Sequence, residues 1–571
     1  MVSNCYTYQG GRKLHLRRAT DRFISRASRQ ELLEHHFEPI EPLSAHSWAV
    51  RTDRRRLQED LGRARKLAPA YDSYVIAETG THLLVTDRIF IRFRHTDDAA
   101  EDAAISFGVS NGLTLIRRLG PHDCLFRVDP LIDVVELVRR ISESDGGCVE
   151  IVDHDLNLRP NRSDVCDVGY STGLQWHLRS TPIEGEPVIA SALIDCEGAW
   201  ASSGPGHRDI VIGVTDCGCD LSDPNIGSDR LAGWAAMSDG AILSGEMDDS
   251  CAQQVMEPST VHGTLCATLA AGDGNHARGV APGCRLLPVK LEELVNGQTL
   301  SHSSFLRIIE FLSDKVDVVS SSWHIGPNSY WPPAIVRHIQ DHAERGGRRD
   351  RGIVWVWAAG NHNAPIKYRG KQRVPVQVVA ENGGFRVEKT LRRFTNSLAG
   401  LHSVLHVGAI SSLGQRCHYS NYGHGLDLVA PSANQHSYGR INVAEGLPVN
   451  APIRDGLRAL GGTSAATPLV AGVAALVRSA APTLTAYEVI SIMRATADKD
   501  LDMSRYEPCH RTGDIPNDSW DVSPIAPFDS GEFRRRHADG TWSPWFGFGK
   551  VNARKAVIEA VRREKRHRHG I

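Results

Sequence analysis

Asp216, His262 and Ser464 lie far apart in this sequence but are of the types that together can cleave an amide bond. A serine hydroxyl is a weak nucleophile until an imidazole takes its proton, and a carboxylate behind the imidazole fixes its tautomer and stabilises the imidazolium. Asp216 ends the β-branched run Ile210-Val211-Ile212-Gly213-Val214-Thr215, and Gly218 lets the chain turn away. A strand end is a rigid mount for a carboxylate. Asp220 is the competing carboxylate but lies beyond the turn, where capping or solvation suits it. His262 heads the small-residue stretch His262-Gly263-Thr264-Leu265-Cys266-Ala267, expected to be a helix that approaches a sheet closely. Ser464 stands in Gly461-Gly462-Thr463-Ser464-Ala465-Ala466-Thr467-Pro468, ahead of a segment at 469–477 that is apolar on every side, as in a buried helix. Proline fits near a helix start, so Pro468 places Ser464 at or just before the first turn, where free N–H groups face the reacting oxygen. Asn361 closes Val354-Trp355-Val356-Trp357-Ala358-Ala359-Gly360 and could donate to an oxyanion beside the Ser464 N–H. Taken singly, Asp216 also reads as a turn residue, Ser464 as a helix N-cap and Asn361 as a left-handed turn residue.

These residues need a scaffold, and the chain supplies its pattern. From about 173 to 560, short β-rich runs at 209–215, 286–291, 317–321, 353–358 and 404–407 alternate with helical stretches such as 263–271 and 304–313. That alternation predicts an α/β domain, a mostly parallel sheet covered by helices on both faces. Ahead of it, residues 84–156 read as β-α-β-β-α-β, the ferredoxin-like split unit: strands at 84–93, 113–119, 123–128 and 149–152, and helices at 97–107 and 132–142. Five regions are expected: an N-terminal extension, 1–80, with amphipathic helices at 29–37 and 54–67 and no assigned chemistry; the ferredoxin-like domain, 81–156; a polar linker, 157–172; the α/β domain, 173–560; and a basic tail, 561–571, solvated and frayed.

Composition narrows the classes. The chain has 571 residues, a formal net charge of -2 and 41% hydrophobic residues, as in a multidomain globular protein, with no excess of positive charge to suggest a nucleic-acid partner. No apolar run approaches the ~20 residues of a membrane span, and residues 1–18 lack a signal-like apolar core. Twelve cysteines without paired spacing point to reduced thiols and a cytoplasmic location. Cys217-Gly218-Cys219 has no partner pair for zinc, so no metal site is expected. No Gly-x-Gly-x-x-Gly follows a strand, which argues against a nucleotide-binding enzyme, and no His-Glu-x-x-His is present for a zinc peptidase.

The Asp216, His262, Asn361 and Ser464 segments, in that order, resemble the subtilisin-like serine peptidases, or subtilases. Gly279-Val280-Ala281-Pro282-Gly283, Val318-Val319-Ser320-Ser321-Ser322-Trp323, Ser420-Asn421-Tyr422-Gly423, Asp427-Leu428-Val429-Ala430-Pro431 and Gly547-Phe548-Gly549-Lys550-Val551-Asn552 extend the likeness over about 173–560. The resemblance implies a subtilisin-like three-layer fold and an endopeptidase working through an acyl-enzyme, with Ser464 the nucleophile, His262 the base and then acid, Asp216 the orienting carboxylate and Asn361 the oxyanion donor. It implies an extended polypeptide substrate beside Ser320, Ser321, Ser322 and Trp323, and beside Ala358, Ala359 and Gly360. The chemistry requires no cofactor; structural calcium is compatible with the family. Residues 84–156 resemble the inhibitory propeptide of subtilases and Gln175-Trp176-His177-Leu178 the start of a mature domain, which implies a zymogen cut between about 156 and 175, with the N-terminal domain as a partner of its own cleft. A permanently attached regulatory domain, and a catalytically silent subtilase fold used for binding, are the alternatives. Cys217 and Cys219 around the Asp turn, His324 where glycine is commoner, and a long basic stretch at 364–403 depart from the family pattern.

Overall fold

The computed structural model describes residues 5–569 except 45–46, 78–81, 95–99, 145–146, 159–174, 239–240, 246–251, 253–255, 257–260, 274–277, 292–299, 326–330, 370–373, 382–383, 391–393, 396–397, 436–445, 455 and 507–523. The expected linker, 157–172, falls almost wholly outside the described residues. The chain divides into two compact units.

The first unit comprises the chain up to residue 159, together with 300–307 and 331–337. Its ferredoxin-like part follows the expected order: strand Val85–Phe93, helix Ala100–Asn111, strands Leu113–Arg118 and Asp123–Val128, helix Val134–Glu143 and strand Val149–Leu158. The last strand pairs with the first, the first with the third and the third with the second, all antiparallel, which is the ferredoxin-like arrangement. Val134–Glu143 is helical because its apolar residues recur on one face: Val134, Val135, Leu137, Val138 and Ile141 are all buried, and Asp133 caps Val135 and Glu136. The N-terminal region differs from its expected form. Helices occur at Arg29–Glu34 and Leu57–Ala64, shorter than read from the pattern, but a five-stranded sheet dominates. Its longest strand, Arg12–Ser25, carries Arg and His on its outer face, and its pairing with Ala70–Ile76 shifts register between Arg18 and Phe23. Outward charge and an interrupted ladder erase the alternation that would have announced it.

The second unit is built on an eight-stranded sheet in the order Ala241–Gly245, Trp234–Ser238, Arg285–Lys290, Val211–Asp216, Val318–Ser321, Val354–Ala358, Val404–Ile410, Leu428–Pro431. All neighbours are parallel except the edge pair of Ala241–Gly245 with Trp234–Ser238. The strands Val211–Asp216, Val318–Ser321, Val354–Ala358 and Val404–Ile410 are buried at every residue, so both faces are covered, which is why they read as continuous apolar runs. Helix Gly462–Ala480 is buried from Gly462 to Arg478 and packs against the three strands from Val318 to Ile410 and against helix His262–Ala271. Among the described residues no helix is long and apolar enough to cross a membrane. The expected frayed tail is instead the end of helix Ala553–His569, held by Glu559 with Arg562 and Arg563 and by Glu564 with Arg568.

The motif Gly547-Phe548-Gly549-Lys550-Val551-Asn552 has a structural explanation. The Lys550 side chain is fully buried, donates to the Leu193 carbonyl and pairs with Asp498 Oδ2 at 2.7 Å. Burial pushes the Asp498 carboxyl up, but Lys550, Asn552 and Lys555 outweigh it and hold it below the usual carboxylate range. A depressed folded-state value means the pair contributes stability above that range and loses it as pH falls below about 4. Asp498→Asn is expected to lower unfolding free energy at neutral pH by about 3–5 kcal/mol and to flatten the loss of stability between pH 5 and pH 2, both read by denaturant titration across pH.

Candidate active site

Asp216 is the last residue of its strand, opposite Lys290 in the neighbouring strand. His262 is the first residue of helix His262–Ala271. The two meet because that helix starts almost against the turn after Asp216: Gly218 takes φ +105°, and a Cβ on Gly263 would run into the Gly218 carbonyl oxygen. Both side chains are 2% exposed, and His262 Nδ1 lies 2.9 Å from Asp216 Oδ1 and 3.0 Å from Oδ2. The Cys217 backbone N–H donates to Oδ1 at 2.7 Å. With Nδ1–H directed at the carboxylate, the lone pair sits on Nε2, the tautomer a general base requires.

Ser464 occupies the third position of helix Gly462–Ala480. The N-cap is Gly461, with no side-chain cap bond, so Ser464 is not spent as a cap. Pro468 differs from its expected place: it is the seventh helical residue, inside the helix rather than at its start. Its position has a consequence. Proline has no N–H, so the Ser464 carbonyl, four residues back, lacks its intrahelical donor. Ser322 Oγ donates to it instead at 3.0 Å, and the Cys266 thiol at 3.8 Å. Ser464 Oγ in turn donates to the Ser322 carbonyl at 3.1 Å. The nucleophile candidate and the end of the Val318–Ser321 strand are thus tied reciprocally. Cys266 Sγ also lies 3.8 Å from His262 Nδ1, placing the thiol between the histidine and the serine backbone.

Asn361 is fixed by its oxygen. Oδ1 accepts from the Thr463 N–H at 2.7 Å and from Thr463 Oγ1 at 2.9 Å, so the Nδ2 end of the amide is the one that can donate to a substrate. The left-handed turn falls two residues later, on Asn363 with φ +47°, not on Asn361. Asn421 holds this loop: its Nδ2 donates to the Ala359 carbonyl, and its Oδ1 accepts from the N–H groups of His362 and Ala364.

The expected substrate-binding residues divide. Ser320 and Ser321 lie between two parallel neighbours, opposite Val214 and Thr215 on one side and Val356 and Trp357 on the other. Their backbone groups are paired within the sheet, and the chain leaves the strand at Ser322. The Trp323 indole is fully buried and donates to Thr215 Oγ1 at 3.1 Å, so any contact it offers substrate is through its backbone. Backbone groups of Ala359 and Gly360 are engaged by Asn421 and Thr463, and Ala358 pairs with Val407, so these three shape the wall and carry Asn361. His324 packs against Gly360 and meets His362 edge-on at 4.9 Å. Burial pulls His362 down to about 4, so it is neutral near pH 7.

Ser322 was expected only as a substrate contact; its Oγ bond to the Ser464 carbonyl, the clamp by Asn421 and the place of Cys266 are what sequence reasoning missed. Cys266 had a signal: four residues after His262, it shares that residue's helix face. Among the described residues, the one group of three potential metal ligands is Asp216, His262 and Cys266, with ligand atoms within 4.8 Å of one another. An imidazole and a thiol suit a soft ion, so this cluster does not fit calcium, which takes oxygen ligands.

The subtilase family model (Peptidase_S8) matches residues 207–549. A calcium-dependent protease of Trichormus variabilis is 27% identical over 415 residues, covering 68% of this chain and 51% of that protein. A calcium-dependent protease of Nostoc sp. is 26% identical, covering 84% of this chain and 64% of that protein. The chain therefore spans between about half and two thirds of the length of these relatives. The major intracellular serine protease of Bacillus subtilis is 27% identical over 53% of this chain and 76% of its own. Among solved structures, fervidolysin of Fervidobacterium pennivorans superposes with a TM-score of 0.51 at 16% identity, over 83% of this chain and 61% of that one, which establishes a shared fold. With a family match over more than half its length and a mostly parallel sheet whose central strand ends at Asp216 in contact with His262, this chain belongs to the subtilase family.

Proposed function

We propose that this chain is a serine endopeptidase in which Ser464 attacks the scissile carbonyl, His262 Nε2 takes the hydroxyl proton and returns it to the leaving amine, and Asp216 stabilises the imidazolium. The observation that carries this reading is the buried hydrogen bond of His262 Nδ1 to both Asp216 oxygens, supported by the lodging of Ser464 in a helix first turn. Attack gives a tetrahedral intermediate whose oxyanion is met by Asn361 Nδ2 and the Ser464 N–H; collapse expels the amine and leaves an acyl-enzyme, which water hydrolyses by the same proton path. Substrate lies extended along the chain leaving Ser322, held by main-chain hydrogen bonds.

The N-terminal ferredoxin-like domain is part of the proposal, as a propeptide released by a cut between about 156 and 175. A reduced, cytoplasmic setting is part of the same proposal and rests on the unpaired spacing of the twelve cysteines. Calcium, named for two relatives, enters only as a structural ion held by oxygen ligands outside the Asp216–His262–Cys266 cluster.

Ser464→Ala is expected to abolish cleavage of a peptide library scored by new termini in mass spectrometry; cleavage equal to wild type overturns the assignment. Asn361→Ala is expected to lower kcat by about 10²–10³ with KM little changed, the range known for loss of one oxyanion donor in a subtilisin. Self-processing predicts that wild type is shorter than Ser464→Ala on a denaturing gel; equal masses favour a permanently attached domain. Zinc ions are expected to inhibit by occupying Asp216, His262 and Cys266, and Cys266→Ala to raise the inhibitory concentration about 10-fold, as loss of one of three ligands should.

A further inference from the structure

The basic stretch 364–403, which departs from the family pattern, takes no part in the mechanism above. It carries eight lysines and arginines against two glutamates. Its described ends, with segments from 424–427 and 527–548, line a cleft of about 630 Å³ in the second unit. The cleft has two chemistries. Its walls are aromatic: Phe528, Trp542 and Phe548, with the His424 ring stacked on Trp542 at 5.4 Å and 15° and edge-on to Phe528 at 5.4 Å. Its cationic groups are Lys367, Arg369 and Arg494, and among the described residues neither Lys367 nor Arg369 pairs with a carboxylate. The one acid in the lining, Asp427, is already neutralised: Arg494 holds Oδ1 at 2.6 Å and the His406 N–H holds Oδ2 at 2.9 Å. The cleft therefore offers apolar area together with uncompensated positive charge, a combination that fits a large apolar side chain next to carboxylates.

The cleft is also tethered to the candidate active site. Six residues separate Lys367 from Asn361, so their Cα atoms are at most about 22 Å apart even for a fully extended chain. Asn421, which clamps the loop on either side of Asn361, lies three residues before His424. A substrate in extended form covers that upper bound, from Asn361 to Lys367, with about six residues.

We propose that this cleft is an exosite for the polypeptide substrate, taking a segment with an aromatic or long aliphatic side chain flanked by aspartate or glutamate, some six residues from the scissile bond. The inference rests on the peptidase reading and deepens it: the triad cuts, and the cleft selects which chains are presented. Docking there acts through effective concentration, so it lowers KM and leaves kcat nearly unchanged.

The test uses the full chain and peptides sharing one cleavable core. One set carries Glu-Trp-Asp-Glu about six residues from the core, on either side; the matched set carries Gly-Ser-Asn-Gly there. The expected result is a KM about 10-fold lower for an acidic-aromatic peptide than for its neutral match, with the ratio falling to near 1 in Lys367→Glu/Arg369→Glu and in high salt. Equal KM values for both sets on wild type, or a ratio unchanged in the double variant, overturn the exosite. In parallel, anisotropy of the labelled acidic-aromatic peptide on Ser464→Ala reads docking without cleavage. Binding that is lost in Lys367→Glu/Arg369→Glu on that background supports the cleft as the docking site; no binding, or binding that the charge reversals do not weaken, overturns it. Absence of cleavage of either set by wild type counts against the peptidase reading, and the anisotropy still decides the cleft. A thermal unfolding midpoint within a few degrees of wild type excludes misfolding as the cause of any loss, and the single variant Lys367→Gln, expected to give an intermediate KM ratio, covers the case in which the double variant does not fold.

Discussion

A carboxylate sealed from water has to be compensated, and much of the second unit can be understood as the means of doing so for Asp216. Its side chain is 2% exposed, and the Cys217 N–H and the His262 imidazole are among its donors. An unpaired buried carboxylate costs several kcal/mol, so this geometry is not optional once the strand ends there. The strand must carry the carboxylate to its carboxyl end, the chain must turn at once, and a helix must begin within hydrogen-bonding distance. Gly218 meets the second demand and Gly263 the third. The electrostatic requirement and the steric one select the same arrangement, which is why the two short motifs around Asp216 and His262 are so sparing of large side chains.

The same logic extends to the serine. A proline inside a buried helix normally signals a kink or a lost hydrogen bond. Here the lost bond is the one from residue 468 to the Ser464 carbonyl, and the acceptor is recovered by Ser322 Oγ. The local defect in the helix becomes a cross-link to the sheet at the residue where chemistry is proposed. Thr463 plays the matching part on the other side, spending its N–H and hydroxyl on Asn361 Oδ1 so that the amide presents Nδ2. Residues 463 and 464 therefore position two different catalytic candidates from adjacent places in one helical turn.

How much of this could be read in advance depended on physical causes. Elements whose pattern is set by burial on both faces, such as Val211–Asp216 and Val354–Ala358, or by a single buried stripe, such as Val134–Glu143, were legible because the environment leaves a strong periodic or continuous apolar signature. The N-terminal sheet was not, because Arg12–Ser25 faces solvent with charged side chains and breaks register midway. The helical tail was misread because its basic residues looked solvated, whereas Glu559 and Glu564 pair with them along the helix. In the candidate site, the contact of Asp216 with His262 follows from motifs visible in the sequence, while the hydrogen bonds that hold Asn361 and Ser464 in place have no such signature. Ser322, Thr463 and Asn421 act through hydrogen bonds between segments distant in sequence, and no local spacing encodes such a bond. Ser320 and Ser321, expected from the same motif to line the substrate, are interior strand residues whose backbone pairs on both sides.

The reciprocal pair of Ser322 and Ser464 also bears on how the resting site becomes reactive. Among the hydrogen bonds of Ser464, its Oγ lies 3.1 Å from the Ser322 carbonyl, to which it can donate. On the proposed mechanism, the hydroxyl exchanges that acceptor for His262 Nε2. Substrate would meet the site along the segment that leaves Ser322, so binding and release of the hydroxyl involve neighbouring atoms of one backbone stretch. A chain that seats itself there is well placed to disturb the resting bond, whereas bulk water must do so without the help of other contacts. Coupling attack to occupancy in this way needs no movement of the helix or sheet, only a change of acceptor for one hydrogen bond, and that is a change a rigid, fully buried scaffold can accommodate.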